Sequence, residues 1–292
     1  MTAADDIAAG RSDSTGAPAW IRGGGPTCVP ERLFGVSVTD AGDGWVDGEM
    51  IVPEGVGAGT PLPRGFLGML ADVVLGRSVQ STLPVGGMCR TARLGLDLTG
   101  AHVIGGQRLQ ARGQVLAGHG SLRLASCDVL TPGDRLAARA TGWFAVAHED
   151  PSASEPAAVA GPDLDRFRPL PLDALVALTG GVPCSDRSER FELLVHPRPE
   201  TANRSGIVHG GVLVALTEAV LSRTARRTAE LEPRIVHLGM TLHRPVLAGG
   251  PPLTATGDVS RAGKRVLALT GALTSATGSL VLSATATLDR SP

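Results

Sequence analysis

Residues 94–115 read LGLDLTGAHVIGGQRLQARGQV, and residues 238–259 read LGMTLHRPVLAGGPPLTATGDV. A shift of 144 positions lays the first on the second: Leu94, Gly95 and Leu98 fall on Leu238, Gly239 and Leu242, and Gly105 and Gly106 on Gly249 and Gly250. Leu109, Ala111, Gly113 and Val115 fall on Leu253, Ala255, Gly257 and Val259. The same shift carries Leu136, Ala140 and Thr141 onto Leu280, Ala284 and Thr285, and Pro53 onto Pro197. A register that survives several turns marks an internal repeat, which sets the architecture before any local reading.

Each half reads in the same order. A β-like stretch comes first, Trp45 to Pro53 or Arg190 to Pro197, then a polar loop. A helical segment follows, GFLGMLADVVLGRSV from Gly65 or GGVLVALTEAVLSRTARR from Gly210, with Val212, Leu216, Ala219 and Val220 at helical spacing. Strand-like runs with glycine-rich turns complete the half, such as LTATGDVSR, RVLALTGALT and SLVLSATATL. One long helix with antiparallel strands, occurring twice, is an α+β pattern. A single helix covers one face of such a sheet, so two copies facing each other with pseudo-two-fold symmetry bury what each leaves open. The expected organisation is a disordered tail over 1–25, one unit over 26–147, an Ala/Pro/Ser-rich linker over 148–163 and a second unit over 164–292.

Composition narrows the function. Hydrophobic residues make up 42% of the 292, enough for ordinary cores, and the net charge of −1 argues against a general nucleic-acid binder. With no tyrosine, five Phe and three Trp, there are few platforms for stacking bases. Cys28, Cys89, Cys127 and Cys184 form no CxxC pair and read as reduced, mostly buried thiols of a cytoplasmic protein. The acidic, polar start lacks the features of a signal peptide, and no run of 18 apolar residues offers a membrane span.

The chemistry concentrates in Asn203-Arg-Ser-Gly-Ile-Val-His209-Gly210-Gly211 and the helix that follows, with Glu218 on it. Two glycines at a helix start let a substrate approach the backbone. The first helical N–H groups have no internal partner, and the helix dipole favours negative charge there. A thioester carbonyl set against the Gly210 N–H gains stabilisation as it becomes an oxyanion, while a carboxylate on a facing element activates water or attacks directly.

This segment resembles the hotdog-fold thioesterases of the phenylacetate-pathway type, in which an Asn precedes His-Gly-Gly by six residues and an acid follows the His by nine. Asn203, His209 and Glu218 keep both spacings, with Leu216 between. The resemblance implies two fused hotdog domains, each an antiparallel sheet wrapped around a long helix. It implies that the Gly after the His donates the oxyanion-hole N–H, that Asn and His orient loop and substrate, and that the acid comes from the partner domain's helix with help from a strand hydroxyl. Half one aligns Asp72 with the acid and Thr91 with the hydroxyl, but has Pro63 and Arg64 for the His and first Gly; half two has Ile235 in place of the hydroxyl. The losses are complementary. One complete site assembles from Asp72, Thr91, Asn203, His209 and Gly210, with Gly211 beside the substrate, whereas Glu218 faces a disabled loop.

A second signal is the basic turn at Arg261, Lys264 and Arg265, with Arg244 on a preceding strand; half one has no Lys or Arg in the matching turn. Arg and Lys grip phosphates such as those of coenzyme A. Arg223, Arg226 and Arg227 are further candidates. The expected function is hydrolysis of an acyl-CoA to acid and CoA, with no metal or redox cofactor and with no nucleic-acid or membrane partner. Association of such chains into a homo-oligomer is left open. The competing readings are a hotdog hydratase or dehydratase, whose acid/His motif is not found, and a non-catalytic acyl-CoA binder.

Overall fold

The computed structural model describes residues 21, 28–52, 64–84, 87–148, 181–187, 190–228 and 234–290. The expected linker past His148, most of the expected tail, and Pro61 and Pro63 lie outside the described residues, as does the side chain of Cys184. Ile21, placed in the expected tail, is buried in the core.

A short helix, α1 (Val29–Leu33), leads into the hairpin β1 (Val36–Gly42) and β2 (Trp45–Ile51). The turn is Asp43-Gly44, with Gly44 at φ +78°, the left-handed region that glycine enters without steric cost. Helix α2 (Gly65–Ser81) precedes β3 (Gly87–Leu98), β4 (Arg108–His119), β5 (Leu122–Thr131) and β6 (Arg135–His148). Half two repeats the order: β7 (Val182–Arg187), β8 (Arg190–Val195), a 3₁₀ turn (Pro199–Thr201), α3 (Gly210–Thr228), β9 (Arg234–Leu242), β10 (Leu253–Ala262), β11 (Val266–Ser275) and β12 (Leu280–Asp289). Sequence reading found both helices to within two residues of their ends; it did not anticipate the outer strands β1 and β7.

Among the described residues, twelve strands join one antiparallel sheet in the order β1-β2-β4-β5-β6-β3-β9-β12-β11-β10-β8-β7. The halves meet where β3 pairs with β9. There Gly95 faces Gly239, flanked by Leu94–Met240 and Leu96–Leu238, with Arg93–Thr241 and Asp97–His237 further out. Residues that the sequence shift equates thus exchange places across the seam, as an isologous contact requires. The architecture is α+β, two fused hotdog folds, each carrying a long helix on its part of the sheet.

The repeated glycines have a physical reason. A Cβ on Gly113 would stand 2.5 Å from Val74 of α2, and one on Gly257 would stand 2.4 Å from Thr224 of α3. Each helix therefore lies directly on bare backbone of its sheet. The other side of each helix meets its counterpart. A Cβ on Gly65 would lie 2.7 Å from the Ala215 Cα, on Gly68 2.3 Å from a Val214 methyl, and on Gly211 2.8 Å from the Met69 Cα. Covered by sheet on one side and helix on the other, α2 is buried almost all round.

This packing separates two glycines of one helix. Gly68→Ala should destabilise the protein by roughly 1–3 kcal/mol through overpacking against Val214. Gly76→Ala meets only ordinary contact, at 3.7 Å from Phe144, and should be neutral or stabilising by up to about 1 kcal/mol from helix propensity. Paired denaturant titrations measure both.

Candidate active site

The loop before α3 is held by its own backbone. The Asn203 Oδ1 accepts from the Ser205 N–H at 2.9 Å and the Ile207 N–H at 3.3 Å, and Gly206 turns at φ +71°. The His209 N–H donates to the Thr201 carbonyl at 2.9 Å, and its carbonyl accepts from Val212 and Leu213, starting the helix. Asn203 thereby shapes the loop that presents His209 and Gly210. Among the described residues no backbone carbonyl accepts the Gly210 N–H, so it remains a donor at the positive end of a 19-residue helix.

Asp72, from α2 of the other half, meets this helix start. Its Oδ1 accepts the Thr91 hydroxyl from β3 at 2.8 Å, and its Oδ2 lies 3.4 Å from the His209 Nδ1. A Cβ on Gly210 would stand 2.6 Å from the same Oδ2. A side chain at Gly210 therefore collides with the carboxylate before it can crowd a substrate. Asp72 and His209 are both buried. Burial pushes the Asp72 carboxyl above the usual carboxylate range; His209, the Thr91 hydroxyl and the Gly211 N–H offset part of this, and Glu31 adds to it. The structure thus brings Asp72, Thr91, Asn203, His209 and Gly210 together around one cavity of about 230 Å³. Gly211 sits behind it, against Met69, with its N–H donating to the His209 Nδ1 at 3.0 Å.

Glu218 occupies the related place at the start of α2. Gly65 lies against its Cβ. Its Oε1 accepts the Ser222 hydroxyl at 2.7 Å, while its Oε2, fully buried, has no hydrogen-bond partner among the described residues. Burial pushes this carboxyl up too; the Ser222 hydroxyl, Arg226, the Gly65 amide and Arg64 pull the other way. Arg64 is itself held below its usual range by burial and by Arg234.

The expected basic set is not gathered at one place. Asp289 pairs with both Arg234 and Val266, so the turn carrying Lys264 and Arg265 lies beside the start of β9. Arg244 follows the end of β9, roughly 30 Å away at ~3.3 Å per residue. Arg244 lines the cavity with Asp72; Arg261, Lys264 and Arg265 do not. The reason is topological. A hairpin turn lies at the same end of its own half as that half's acid, so the basic turn accompanies Glu218. In its place the cavity has Arg90, Arg204 and His243. Sequence reading passed over Arg204 although it directly follows Asn203 in the motif.

The cavity wall also holds Cys28, Glu31 and His209, whose potential ligand atoms lie within 4.8 Å of one another. Arg77 pairs with Glu31 at 2.7 Å, so a cation bound there would face a guanidinium. Cys28, Cys89 and Cys127 are free thiols, and burial raises all three, Cys89 to about 12. Among the described residues no helix is long and apolar enough to cross a membrane.

Residues 205–282 match the family model of the thioesterase superfamily. A comparison with curated protein sequences gave no match. Among solved structures the chain is similar to a tesB protein of Mycobacterium avium subs paratuberculosis, with TM-score 0.65, 11% identity and coverage of 90% of this chain and 98% of that one. It is similar to the acyl-CoA thioesterase II TesB2 of Mycobacterium marinum, with TM-score 0.58, 14% identity and coverage of 90% and 97%. It is also similar to a conserved hot dog fold protein of unknown function from Alicyclobacillus acidocaldarius, with TM-score 0.61, 12% identity and coverage of 91% and 100%. These likenesses are of fold.

The buried Glu218 gives a stability test. A carboxyl whose pKa rises on folding keeps its proton through the window between the unfolded and folded values, and the folded state loses stability as pH rises through the folded value. Glu218→Gln removes that ionisation, so its melting temperature should gain on the wild type as pH rises from 5 to 8. Thermal unfolding across that range measures the difference.

Proposed function

We propose that this double-hotdog chain, whose residues 205–282 match the thioesterase superfamily, is an acyl-CoA thioesterase with one working site. The observation that carries the reading is the meeting of a buried carboxylate from one half with an open helix start from the other. Asp72 in its ionised form takes a proton from water, and the water oxygen attacks the thioester carbon. The carbonyl oxygen becomes an oxyanion against the Gly210 N–H. The C–S bond breaks as the carbonyl re-forms, and the proton on Asp72 passes to the departing CoA sulfur. Thr91 holds Asp72, and Asn203 and His209 hold the loop.

Arg90, Arg204 and Arg244, which line the cavity, are the proposed phosphate contacts, in place of the distant basic turn. Glu218 is proposed to be inactive, because Arg64 stands at the first helical turn that faces it. The two halves are read as copies of one ancestral unit, on the strength of the sequence register and the matched pairing of β3 with β9. The free thiols favour a cytoplasmic setting.

Release of free thiol from a panel of acyl-CoAs tests the reaction. Loss of substrate without thiol release would indicate hydration or dehydration, and binding without turnover a carrier. Asp72→Asn should lower kcat by ~10²–10⁴-fold, the usual cost of losing a general base. Glu218→Gln, assayed beside it, should remain near wild type. Since Asp72 must lose its proton to act, kcat/KM should fall as pH drops through its raised pKa, at a pH above the usual carboxylate range. Neutralising Arg90 or Arg244 should raise KM for acyl-CoA more than for an acyl-pantetheine thioester. The same change at Arg261, Lys264 or Arg265 should alter neither.

A further inference from the structure

Two buried side chains outside the proposed reaction, Glu31 and Arg77, form a line behind His209. Glu31, from α1, is 4% exposed. Its Oε1 accepts from the Arg77 guanidinium at 2.7 Å and lies 3.8 Å from the His209 Nε2. Arg77 is on the helix that carries Asp72. The opposite imidazole nitrogen, Nδ1, accepts the Gly211 N–H at 3.0 Å. A ring nitrogen that accepts a backbone N–H carries no proton of its own, so the Gly211 contact favours the neutral ring with its proton on Nε2, facing Glu31, against the pull of the Asp72 Oδ2 3.4 Å from Nδ1.

We infer that Glu31 is a positioning residue for His209, fixing its tautomer and ring orientation so that the loop keeps the Gly210 N–H aimed into the cavity. The carboxylate attracts the Nε2 proton from one side while the Gly211 N–H engages Nδ1 from the other. The imidazole is thereby braced between α1 and the start of α3. Arg77 pairs with Glu31 at 2.7 Å in a buried place where a lone carboxylate would be costly. The line crosses the chain's halves: α1 and α2 precede the seam, and His209 follows it. With Nδ1 engaged by the Gly211 N–H and Nε2 turned toward Glu31, His209 is placed to hold the loop, beside Asp72 as the proposed base. A divalent cation on Cys28, Glu31 and His209 would compete with the same groups, and Arg77 opposes it.

Among the described residues, the charged and titratable groups set against His209 are Glu31 on α1 and Cys28 just before it, and Asp72 on α2, with Arg77 paired to Glu31 and Arg204 and His243 on the same cavity. Around Asp72 they are His209, Glu31 and Arg77, with Cys89 on β3 beside it. Glu31 adds to the upward shift of Asp72. Neutralising it should therefore move the acid limb of kcat/KM to lower pH; water admitted by loosened packing would shift the limb the same way, so the His209 tautomer is read beside it to tell the two apart.

The inference rests on the proposed reaction for its kinetic arm only; the tautomer is read on the resting protein without substrate. Long-range ¹H–¹⁵N spectra of ¹⁵N-histidine-labelled full-length protein, with His209 assigned by His209→Asn, should show the Nε2–H form at pH 8. Glu31→Gln keeps an acceptor and should keep this tautomer while shifting the acid limb down. Glu31→Ala removes the acceptor. It should give a tautomer mixture and lower kcat by up to about 10²-fold, the cost of a misplaced group, with KM changed far less. If Glu31→Ala folds poorly with Arg77 uncompensated, Glu31→Ala/Arg77→Met carries the same measurements.

An Nδ1–H ring in the wild type overturns the inference, as does an unchanged single tautomer with unchanged kcat in the alanine variant. Tight binding of added zinc, abolished by Glu31→Gln, would overturn it in favour of a metal site. A protein that shows the expected tautomers but releases no thiol from any acyl-CoA would refute the function and leave the positioning intact.

Discussion

Where α2 and α3 touch, hardly any side chain separates their backbones. Gly65, Gly68 and Gly211 each lack a Cβ at a point where one would fall within 3 Å of the opposite helix. Because the helices are pressed this close, the acid on each reaches the first turn of the other. Asp72 sits against Gly210, and Glu218 against Gly65. A helix start with unshared N–H groups is a favourable place for negative charge, and a buried carboxyl needs such help. The same contact therefore closes the core and builds the proposed site. A bulkier residue between the helices would separate acid from donor as well as open a gap.

The two acid positions begin from similar burial and diverge in their surroundings. Both carboxyls are pushed up by loss of water. Asp72 is met by a threonine hydroxyl and an imidazole and opens on a cavity. Glu218 is met by Ser222, and one of its oxygens has no partner among the described residues. A buried, half-satisfied carboxyl is a cost to the folded state, unless another part of its surroundings repays it; Arg64 and Arg226 do so in part. The two acids thus differ in polar satisfaction, apart from any alignment.

Much of this was legible in the sequence because it depends on local or periodic constraints. The helices announce themselves through spacing, and the 144-residue register predicts a paired architecture; Gly113 and Gly257 keep that register because each seats a helix on its sheet. Asn203, His209 and Gly210 lie close in sequence, and Asp72 was found by aligning the helices. What stayed hidden depends on which end of the sheet a turn occupies and on contacts between remote segments. Arg261, Lys264 and Arg265 read as partners of Arg244 until the strand directions put them at opposite ends of β9. Glu31 and Arg77 are 46 positions apart, with no motif to join them. The outer strand β1 went unread because Val36–Gly42 mixes buried and exposed positions without regular alternation.

The pairing of Gly95 with Gly239 places two distinct sequences on either side of a near-symmetric seam. In a dimer of identical chains, any substitution in the loop before the helix would appear at both places at once; here Arg64 stands before one helix and His209 before the other. Joined in one chain, the copies are inherited together yet mutate separately. One loop can change while the other keeps its sequence, so each acid answers only to the loop that faces it. Equivalence of backbone across the seam thus sets no requirement that the two halves carry the same side chains.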